Sequence, residues 1–463
     1  MQPKQCIAII DSIKAYAKQN PTEAQVYEDW FQAVVNLRDA LPQDKRFDAY
    51  KYSGELRSVC AAMMGKMKTG EDVAKVYDII GRTYLFEAKD VFDSYCIYLE
   101  WNRAPEKKFY QPRRKVLKTV ANALQDLADD RLDLLAISMP PGCGKTALAI
   151  FYLTWLGGRS PDEPMLTGSH SNSFVRGVYD ECLRIFDKDG EYLWNDVFPD
   201  VTVSNTNAKD CRIDLGKRKR FETLEFTSIG TGNAGLYRAS TLLYCDDLVS
   251  GIEVALSKPR LDKLWETYTT DLRQRKIGNK CKELHIATRW SVHDVIGRLE
   301  QNYGDSDRNR FIVMPAMNEK DESNFDYDYG VGYSTETLRK QREVMDEMSW
   351  KALYMNQPVE REGLLFPADE LRYFNGVLPD GEPDRKLMVM DIAWGGGDFT
   401  ACPIAYVYGD AVFIPDLVFN NGDKTVTRPE VVGKIIQHKI NVVRGEANNG
   451  GDEYCDVVDS QLR

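Results

Sequence analysis

The sequence of 463 residues has no long apolar run, few histidines and no paired cysteines. No apolar stretch reaches the roughly 18 residues that a membrane-spanning helix needs. The N-terminus, MQPKQCIAIIDSIK, lacks the apolar segment and cleavage site of a signal peptide. The 10 cysteines are scattered without a CxxC pair and there are only 4 histidines, which argues against a zinc site and a disulfide framework. We therefore expect a cytosolic protein with no membrane contact.

Basic residues are also in deficit, since 60 Lys and Arg against 71 Asp and Glu give a formal net charge of −11. Such a surface disfavours general coating by nucleic acid, so any DNA contact must be local. KKFYQPRRKVLK (107–118) and KRKR (217–220) are locally basic. KRKR separates two strand-like runs, CRIDLG and FETLEFTSI, and is therefore predicted at a hairpin tip. There it either faces solvent or contacts a phosphate backbone.

Hydrophobic patterning divides the chain into four regions. Residues 1–107 have helical apolar spacing without a recognisable site and are predicted to be a helical accessory segment. Between 108 and 325, strands alternate with helices, which predicts an α/β domain with a doubly wound parallel sheet. Residues 326–385, rich in Asp, Glu, Gly and Pro, are predicted to be a linker around one helical piece. From 386 to 463, three consecutive strands, a helix beginning at PEVVGK and another strand predict a mixed sheet.

A glycine-rich turn lies between a predicted strand and a predicted helix in LLAISMPPGCGKTALAIFYL (134–153). This context is typical of a phosphate-binding loop, whose backbone N–H groups surround anionic oxygens at a helix N-terminus. The nucleotide contacts are predicted for Gly142, Cys143, Gly144, Lys145 and Thr146. Lys145 would contact the β and γ phosphates of ATP, and the Thr146 hydroxyl would bind Mg²⁺. Met139 replaces the first glycine of the usual pattern, so the two prolines that follow are expected to turn the chain. The helix is expected to end at Gly157-Gly158.

Two acids follow another buried strand, in TLLYCDDLVSG. Because parallel sheets bind ligands at the carboxyl ends of their strands, Asp246 and Asp247 are predicted beside the phosphate loop. Asp246 would hold Mg²⁺, and Asp247 would orient or deprotonate the attacking water. Asp247 is one methylene shorter than the glutamate more usual in this role, so Glu253 is an alternative base.

Polar residues near two strands favour a motor over a simple kinase or GTPase. ELHIATRWSVHDVIGRL ends a strand with Thr288 and Arg289, where polar groups can sense the γ-phosphate and pass the change on. Arg238, in GTGNAGLYRAS shortly before Asp246, is predicted near the catalytic edge of the sheet as an arginine finger for a neighbouring subunit. For either arginine, an ion pair with an acid is the open alternative.

The stretch FYQPRRKVL (109–117) precedes the phosphate loop and combines aromatic and basic residues. It offers Tyr110 and Gln111 as contacts for adenine. The alternative is the start of a helix with a basic face.

The last region carries two acids whose predicted role depends on the order of the strands. Asp391 is predicted in the middle of the first strand of the meander, and Glu446 at the end of the strand after the helix. RNase H-like nucleases use this order to bring acids of their first and fourth strands together. Two such carboxylates can bind two metal ions about 4 Å apart, which activate water for phosphodiester hydrolysis.

Six stretches, in this order, resemble the large terminase subunit of tailed double-stranded-DNA bacteriophages: PPGCGKT, SHSNSFVRGVYDEC, TGNAGLYRASTLLYCDD, ATRWSVHDVIGRL, WKALYMNQPVEREGLLFP and VMDIAWGGGDFTA. The resemblance extends from about residue 108 to the end. It implies a P-loop ATPase that pumps viral DNA into a procapsid, joined to an RNase H-like nuclease that cuts concatemeric DNA with Mg²⁺ or Mn²⁺. It assigns the phosphate loop to Lys145 and Thr146, the Mg²⁺ and water acids to Asp246 and Asp247, coupling to Thr288 and Arg289, and nuclease metal binding to Asp391 and Glu446.

The resemblance also implies the partners and the compartment. The partners are double-stranded DNA, a portal protein, a small terminase subunit and further copies of the chain in a ring, in the cytoplasm of an infected bacterial host. The family's third nuclease acid lies on a helix after a fifth strand, for which the residues before Arg463 leave no room. We therefore expect a truncated nuclease domain that is inactive as given, with Asp452, Asp456 and Asp459 facing solvent.

Two other functions remain open. A DNA helicase or remodelling ATPase without nuclease activity would carry helicase-type motifs in place of the meander, and none is found after 386. A non-enzymatic packaging component with a vestigial loop is disfavoured because Lys145, Thr146 and Asp246 are all present.

Overall fold

The computed structural model describes residues 1–230, 237–358, 372–393, 398–445 and 451–463. The chain divides into two compact units, Met1–Leu364 and Leu365–Arg463. In the described ranges, no helix is both long enough and apolar enough to cross a bilayer.

The first unit begins with helices, as the apolar spacing predicted: α1 (Pro3–Gln19), α2 (Ala24–Ala40), α3 (Tyr50–Met64), α4 (Gly70–Ala88) and α5 (Phe92–Leu99). Ile10, Trp30, Val34 and Leu56 are buried in a core that α1 to α4 share. The helix α5 belongs instead to the core of the sheet that follows, together with α6 (Tyr110–Ala128).

The described residues of the first unit form an eight-stranded sheet of order β3-β4-β5-β2-β6-β7-β1-β8. Its strands are β1 (Leu134–Ser138), β2 (Met165–Ser169), β3 (Val203–Asn207), β4 (Arg212–Leu215), β5 (Leu224–Ser228), β6 (Leu242–Asp246), β7 (Lys282–Ala287) and β8 (Asn309–Val313). β3 and β4 pair antiparallel with their neighbours, whereas all other pairs are parallel. Only β4 therefore runs in the opposite direction, and the carboxyl ends of the other seven strands lie at one edge. β7 separates the strand of the glycine-rich loop from the strand of the two acids.

Helices cover the sheet on both faces: α7 (Lys145–Arg159), α8 (Asn172–Phe186), α9 (Trp194–Val197), α10 (Ile252–Ala255), α11 (Lys258–Thr267) and α12 (Val295–Tyr303). The predicted end of α7 at Gly157-Gly158 is wrong, because the helix continues to Arg159. A Cβ on Gly158 would lie 2.4 Å from the ring of Phe198, so this glycine allows close packing instead of ending the helix.

Much of the predicted linker, 326–385, packs into the first unit instead. It forms α13 (Thr335–Val344), α14 (Glu347–Ser349) and a π-helical turn at Trp350–Tyr354. Leu338 and Trp350 are buried against Ala316 and Met317. A few large apolar side chains within a polar composition are sufficient for this packing.

The second unit has the strand order that the meander predicted. It contains β9 (Arg385–Met390), β10 (Thr400–Tyr408), β11 (Ala411–Asn420), α15 (Lys424–His438), β12 (Val442–Gly445) and α16 (Gly451–Leu462). In the described residues the sheet order is β11-β10-β9-β12, with β12 parallel to β9 and the other pairs antiparallel. The helix α15 begins before its predicted start at Pro429, because the Asp423 side chain accepts a hydrogen bond from Thr425 N (2.8 Å) and caps it.

Candidate nucleotide-binding site

The turn between β1 and α7 requires glycine at two positions. Gly142 has φ +73° and Gly144 has φ +93°, in the left-handed region that other residues rarely adopt. A Cβ on Gly142 would also lie 2.6 Å from the Tyr333 hydroxyl, and one on Gly144 would lie 2.6 Å from the Phe109 ring. Among the described residues, no side chain caps α7, so its first N–H groups remain open to an anion.

Cys143, between these glycines, is fully buried. Burial raises the pKa of its thiol to about 12. Since the neutral thiol points into the core, Cys143 can contact a nucleotide only through its backbone.

The ammonium of Lys145 is buried at the meeting point of three strand ends. Lys145 Nζ donates to Thr288 Oγ1 (2.7 Å) and to the Met139 carbonyl (3.4 Å). The same nitrogen lies 3.7 Å from Asp247 Oδ2. The structure thus brings together the predicted phosphate lysine, the predicted water-activating acid and the predicted sensing threonine.

Asp247 is held in one orientation by its neighbours. Its backbone has φ +41°, and its Oδ1 accepts a hydrogen bond from Thr288 N (2.8 Å). Its carbonyl oxygen is 2.7 Å from His170 Nδ1. Sequence reasoning missed His170, although it directly follows the strand β2 at the same edge of the sheet.

Asp246 is completely buried beside Asp247. The Tyr244 hydroxyl donates to its Oδ2, whereas its Oδ1 has no hydrogen-bond partner in the described part of the chain. Burial, followed by the negative charge of Asp247, raises the pKa of Asp246 to about 7. The hydrogen bond from Tyr244 and the proximity of Lys145 and Thr146 act in the opposite direction.

These groups fit a small divalent cation. Mg²⁺ is usually bound through one or two carboxylates together with substrate phosphates and water. Asp246 supplies an unpartnered carboxylate oxygen, and the Thr146 hydroxyl is near enough to lower the pKa of this carboxyl group. Since the described residues contain no cluster of three or more His, Cys, Asp or Glu, phosphates and water would have to complete the shell.

An open cleft of about 510 Å³ lies over Lys145, Thr146 and Asp247, whereas the buried Asp246 is not among its lining residues. It is lined by the glycine-rich loop together with His170, Asp247, Thr288 and Trp290. A cleft of this volume is within the range of small-molecule sites. Glu253, the alternative base, is not among its lining residues, and its side chain is 90% exposed near Arg260.

Arg289 forms an ion pair with an acid, which was the alternative to a role in sensing the γ-phosphate. Its Nε donates to Asp294 Oδ2 (3.0 Å), and Asp294 Oδ1 accepts from Gly297 N (2.8 Å) to cap α12. The Arg289 backbone N–H donates to Asn356 Oδ1 (3.3 Å), and the Asn356 amide donates to the Met314 carbonyl (3.3 Å). Arg289 therefore holds the loop after β7, and Asn356, which the sequence did not reveal, joins this loop to the end of β8.

Arg238 does not lie at the nucleotide cleft. The prediction that it lies near the catalytic edge is wrong, because residue 238 precedes the amino end of β6 whereas Asp246 ends that strand. Arg238 is exposed, and its guanidinium lies 5.3 Å from the centre of the Phe221 ring. Its backbone N–H donates to Glu225 Oε2 (3.1 Å).

The predicted adenine contacts have different outcomes. Tyr110 is buried and donates to Asp93 Oδ1 (2.7 Å), so its hydroxyl is engaged elsewhere. Gln111 is exposed in the first turn of α6, and an adenine contact for it stays a prediction.

KRKR (217–220) connects β4 and β5, which pair antiparallel, so the predicted hairpin is confirmed. Lys219 points inward, where its Nζ donates to the Pro161 carbonyl (2.8 Å) and pairs with Asp214 (3.3 Å). Lys217, Arg218 and Arg220 are exposed.

In the second unit, Asp391 follows β9 directly instead of lying in the middle of the strand. Its backbone exchanges hydrogen bonds with Ala401 (3.0 and 2.9 Å), and its side chain is exposed. Glu446 lies outside the described residues. Met390 and Gly445, which precede the two acids in the sequence, are register partners in the parallel pair of β9 and β12. The acids of α16 face solvent as predicted: Asp452, Asp456 and Asp459.

The raised pKa of Asp246 predicts a pH-dependent stability. The unfolded chain loses this proton near the ordinary pKa of 3.8 and the folded protein near 7. Between these values the folded state therefore loses stability as pH rises. Asp246→Asn removes this loss, so its melting temperature in EDTA should rise relative to wild type between pH 4.5 and 8, by the equivalent of roughly 1–3 kcal/mol. Asp305→Asn, at an exposed position, is the control; equal pH profiles for Asp246→Asn and wild type would contradict the assignment.

No protein-family model matches this chain, and no curated protein sequence matches it significantly. Among solved structures, it is similar to the large terminase of a thermophilic bacteriophage in complex with ADP (13% identity, 76% of this chain and 81% of that chain covered, TM-score 0.34). It is also similar to the bacteriophage HK97 large terminase (13%, 73% and 77%, TM-score 0.35). A third is the bacteriophage Phi-29 genome packaging motor assembly (12%, 73% and 98%, TM-score 0.26). These three solved structures are two phage large terminases and a phage packaging motor.

Proposed function

We propose that this chain is an ATPase that drives the packaging of double-stranded viral DNA into a procapsid. The observation that carries the ATPase is the meeting of Lys145, Asp247 and Thr288 at the carboxyl edge of the sheet, over an open cleft. The packaging role rests on the motifs that resemble large terminases. A portal protein, a small terminase subunit, a ring of further copies and the cytoplasm of an infected bacterium belong to the same proposal.

Each residue of the site has a role in this proposal. The N–H groups of Gly142, Cys143 and Gly144 would bind phosphate oxygens, and Lys145 would leave its protein partners for the β and γ phosphates. Asp246 and Thr146 would hold Mg²⁺, which neutralises charge on the phosphates. Asp247 would orient the attacking water or take its proton.

The same contacts offer a path for coupling. Thr288 bonds both Lys145 and Asp247, so a change at the phosphates alters the hydrogen bonds at the end of β7. Arg289 and Asn356 connect this point to α12 and to the end of β8. Two discrete arrangements of this loop would link hydrolysis to movement.

Lys145→Ala tests the ATPase. It removes the charge that would stabilise the transferred phosphate, so ATP turnover should fall by roughly 100-fold or more. Phosphate release is measured with and without double-stranded DNA. Lys340→Ala, which removes an exposed lysine in α13, should keep wild-type turnover. Unchanged turnover in Lys145→Ala, or none in wild type under either condition, would overturn the proposed function.

The hairpin between β4 and β5 supports contact with a DNA backbone. Arg220 and Arg238 lie on the same Phe221 ring, at 5.4 and 5.3 Å from its centre. Together with Lys217 and Arg218 they form a basic surface, and no carboxylate of the described residues is within ion-pair distance of these four side chains. Exposed cations of this kind bind phosphates without sequence preference.

Charge reversal in the hairpin tests this surface. A triple variant should bind DNA more weakly when it carries Lys217→Glu, Arg218→Glu and Arg220→Glu. The slope of log affinity against log salt should fall by roughly one for each lost contact. Arg238→Ala should act in the same direction. Fluorescence anisotropy measures both effects, with Lys45→Glu/Arg46→Glu, an exposed basic pair in the helical region, as the control. Unchanged DNA affinity of Arg238→Ala with abolished ATP turnover would instead favour the arginine finger.

We also propose that the second unit belongs to an RNase H-like nuclease, in which Asp391 and Glu446 bind metal ions. Its support is the strand order and the pairing of Met390 with Gly445. This nuclease distinguishes the packaging motor from the alternative, a helicase or remodelling ATPase.

Asp391→Asn is the test of the nuclease. Mn²⁺- or Mg²⁺-dependent nicking of supercoiled plasmid by the full-length protein should be lost, because one metal-binding carboxylate is gone. ATP turnover should be unaffected. Asp398→Asn, at a nearby acid with no assigned role, is the control. Equal nicking by the Asp391 variant and wild type would show that Asp391 does not belong to the nuclease site. Absence of nicking in wild type would favour the helicase or remodelling ATPase.

A further inference from the structure

Ser169, the last residue of β2, lies beside Asp246, the last residue of β6. The two are register partners in a parallel pair, so their side chains project from the same face of the sheet. This face also packs against α7, which carries Thr146.

Ser169 is completely buried, and its hydroxyl has no hydrogen-bond partner in the described residues. Asp246 Oδ1 is also buried and has no hydrogen-bond partner in the described residues. An unpartnered buried polar group destabilises the fold, and such groups require an explanation. Two of them on neighbouring strands indicate a shared polar occupant.

Other polar groups at this edge have protein partners. On the next strand, Ser228 Oγ donates to Asn172 Oδ1 (2.7 Å), and the Tyr244 hydroxyl donates to Asp246 Oδ2. At the adjacent ends of β5, β2 and β6, the unpartnered side-chain atoms of the described residues are Ser169 Oγ and Asp246 Oδ1, where the proposed cation would be held.

We propose that Ser169 is a positioning residue for the divalent cation of the nucleotide site. Its hydroxyl accepts a hydrogen bond from water bound to the cation and donates toward Asp246 Oδ1, which orients the carboxylate. This inference rests on the proposed ATPase and adds a residue that the sequence motifs do not assign. Groups that orient the ligands of a metal typically change its affinity by 10- to 100-fold.

The experiment measures how much Mg²⁺ strengthens ADP binding. The dissociation constant of ADP is determined by calorimetry in excess Mg²⁺ and in EDTA, for wild type and Ser169→Ala. We expect the Mg²⁺-dependent gain to fall by roughly 10-fold in Ser169→Ala while the affinity in EDTA is unchanged. A merely structural serine would change the melting temperature without changing this ratio.

Ser228→Ala is the matched control, because it removes a hydroxyl from the neighbouring strand end that already has a protein partner. It should leave the gain at its wild-type value. Should Ser169→Ala fold poorly, Ser169→Cys keeps the shape of the side chain with a weakly bonding thiol and carries the same expectation. If a folded Ser169 variant gains as much ADP affinity from Mg²⁺ as wild type does, the inference is overturned and the proposed ATPase stands. Absence of ADP binding in wild type overturns the ATPase itself.

Discussion

The buried ammonium of Lys145 is the interaction on which the candidate site depends. A buried cation is costly unless it is paired and hydrogen-bonded. Here Thr288 and the Met139 carbonyl accept its hydrogen bonds, and Asp247 supplies the compensating charge. These partners lie at the ends of three adjacent strands, so the charge is satisfied only when β1, β7 and β6 are assembled in this order. A triphosphate that entered the cleft would compete directly with Asp247 for the Lys145 ammonium.

Local patterns were sufficient to predict the elements that carry the site. The glycine-rich loop and the buried strand before the two acids each depend on a few consecutive residues. One rule, that parallel strands bind ligands at their carboxyl ends, then placed Lys145 near Asp247. In the second unit, the order of strands and helix likewise predicted the topology of the sheet.

The features that could not be predicted depend on contacts between distant residues. Proximity in sequence placed Arg238 near Asp246, but the intervening strand separates them along its length. The partners of Tyr110 and Arg289 lie on other elements, at Asp93 and Asp294, and composition does not reveal them. Similarly, His170 follows an ordinary strand, and only the register of β2 with β6 gives it a position beside the acids.

Asn356 makes its own backbone depend on two distant segments, the loop after β7 and the end of β8. Its φ of +52° lies in the left-handed region, which asparagine tolerates better than most residues, and its amide bonds Arg289 and Met314 at once. A shift in the loop after β7 that broke either bond would release this left-handed backbone conformation. Because one amide group bonds both segments, neither the loop after β7 nor the end of β8 can shift without disturbing the backbone at Asn356.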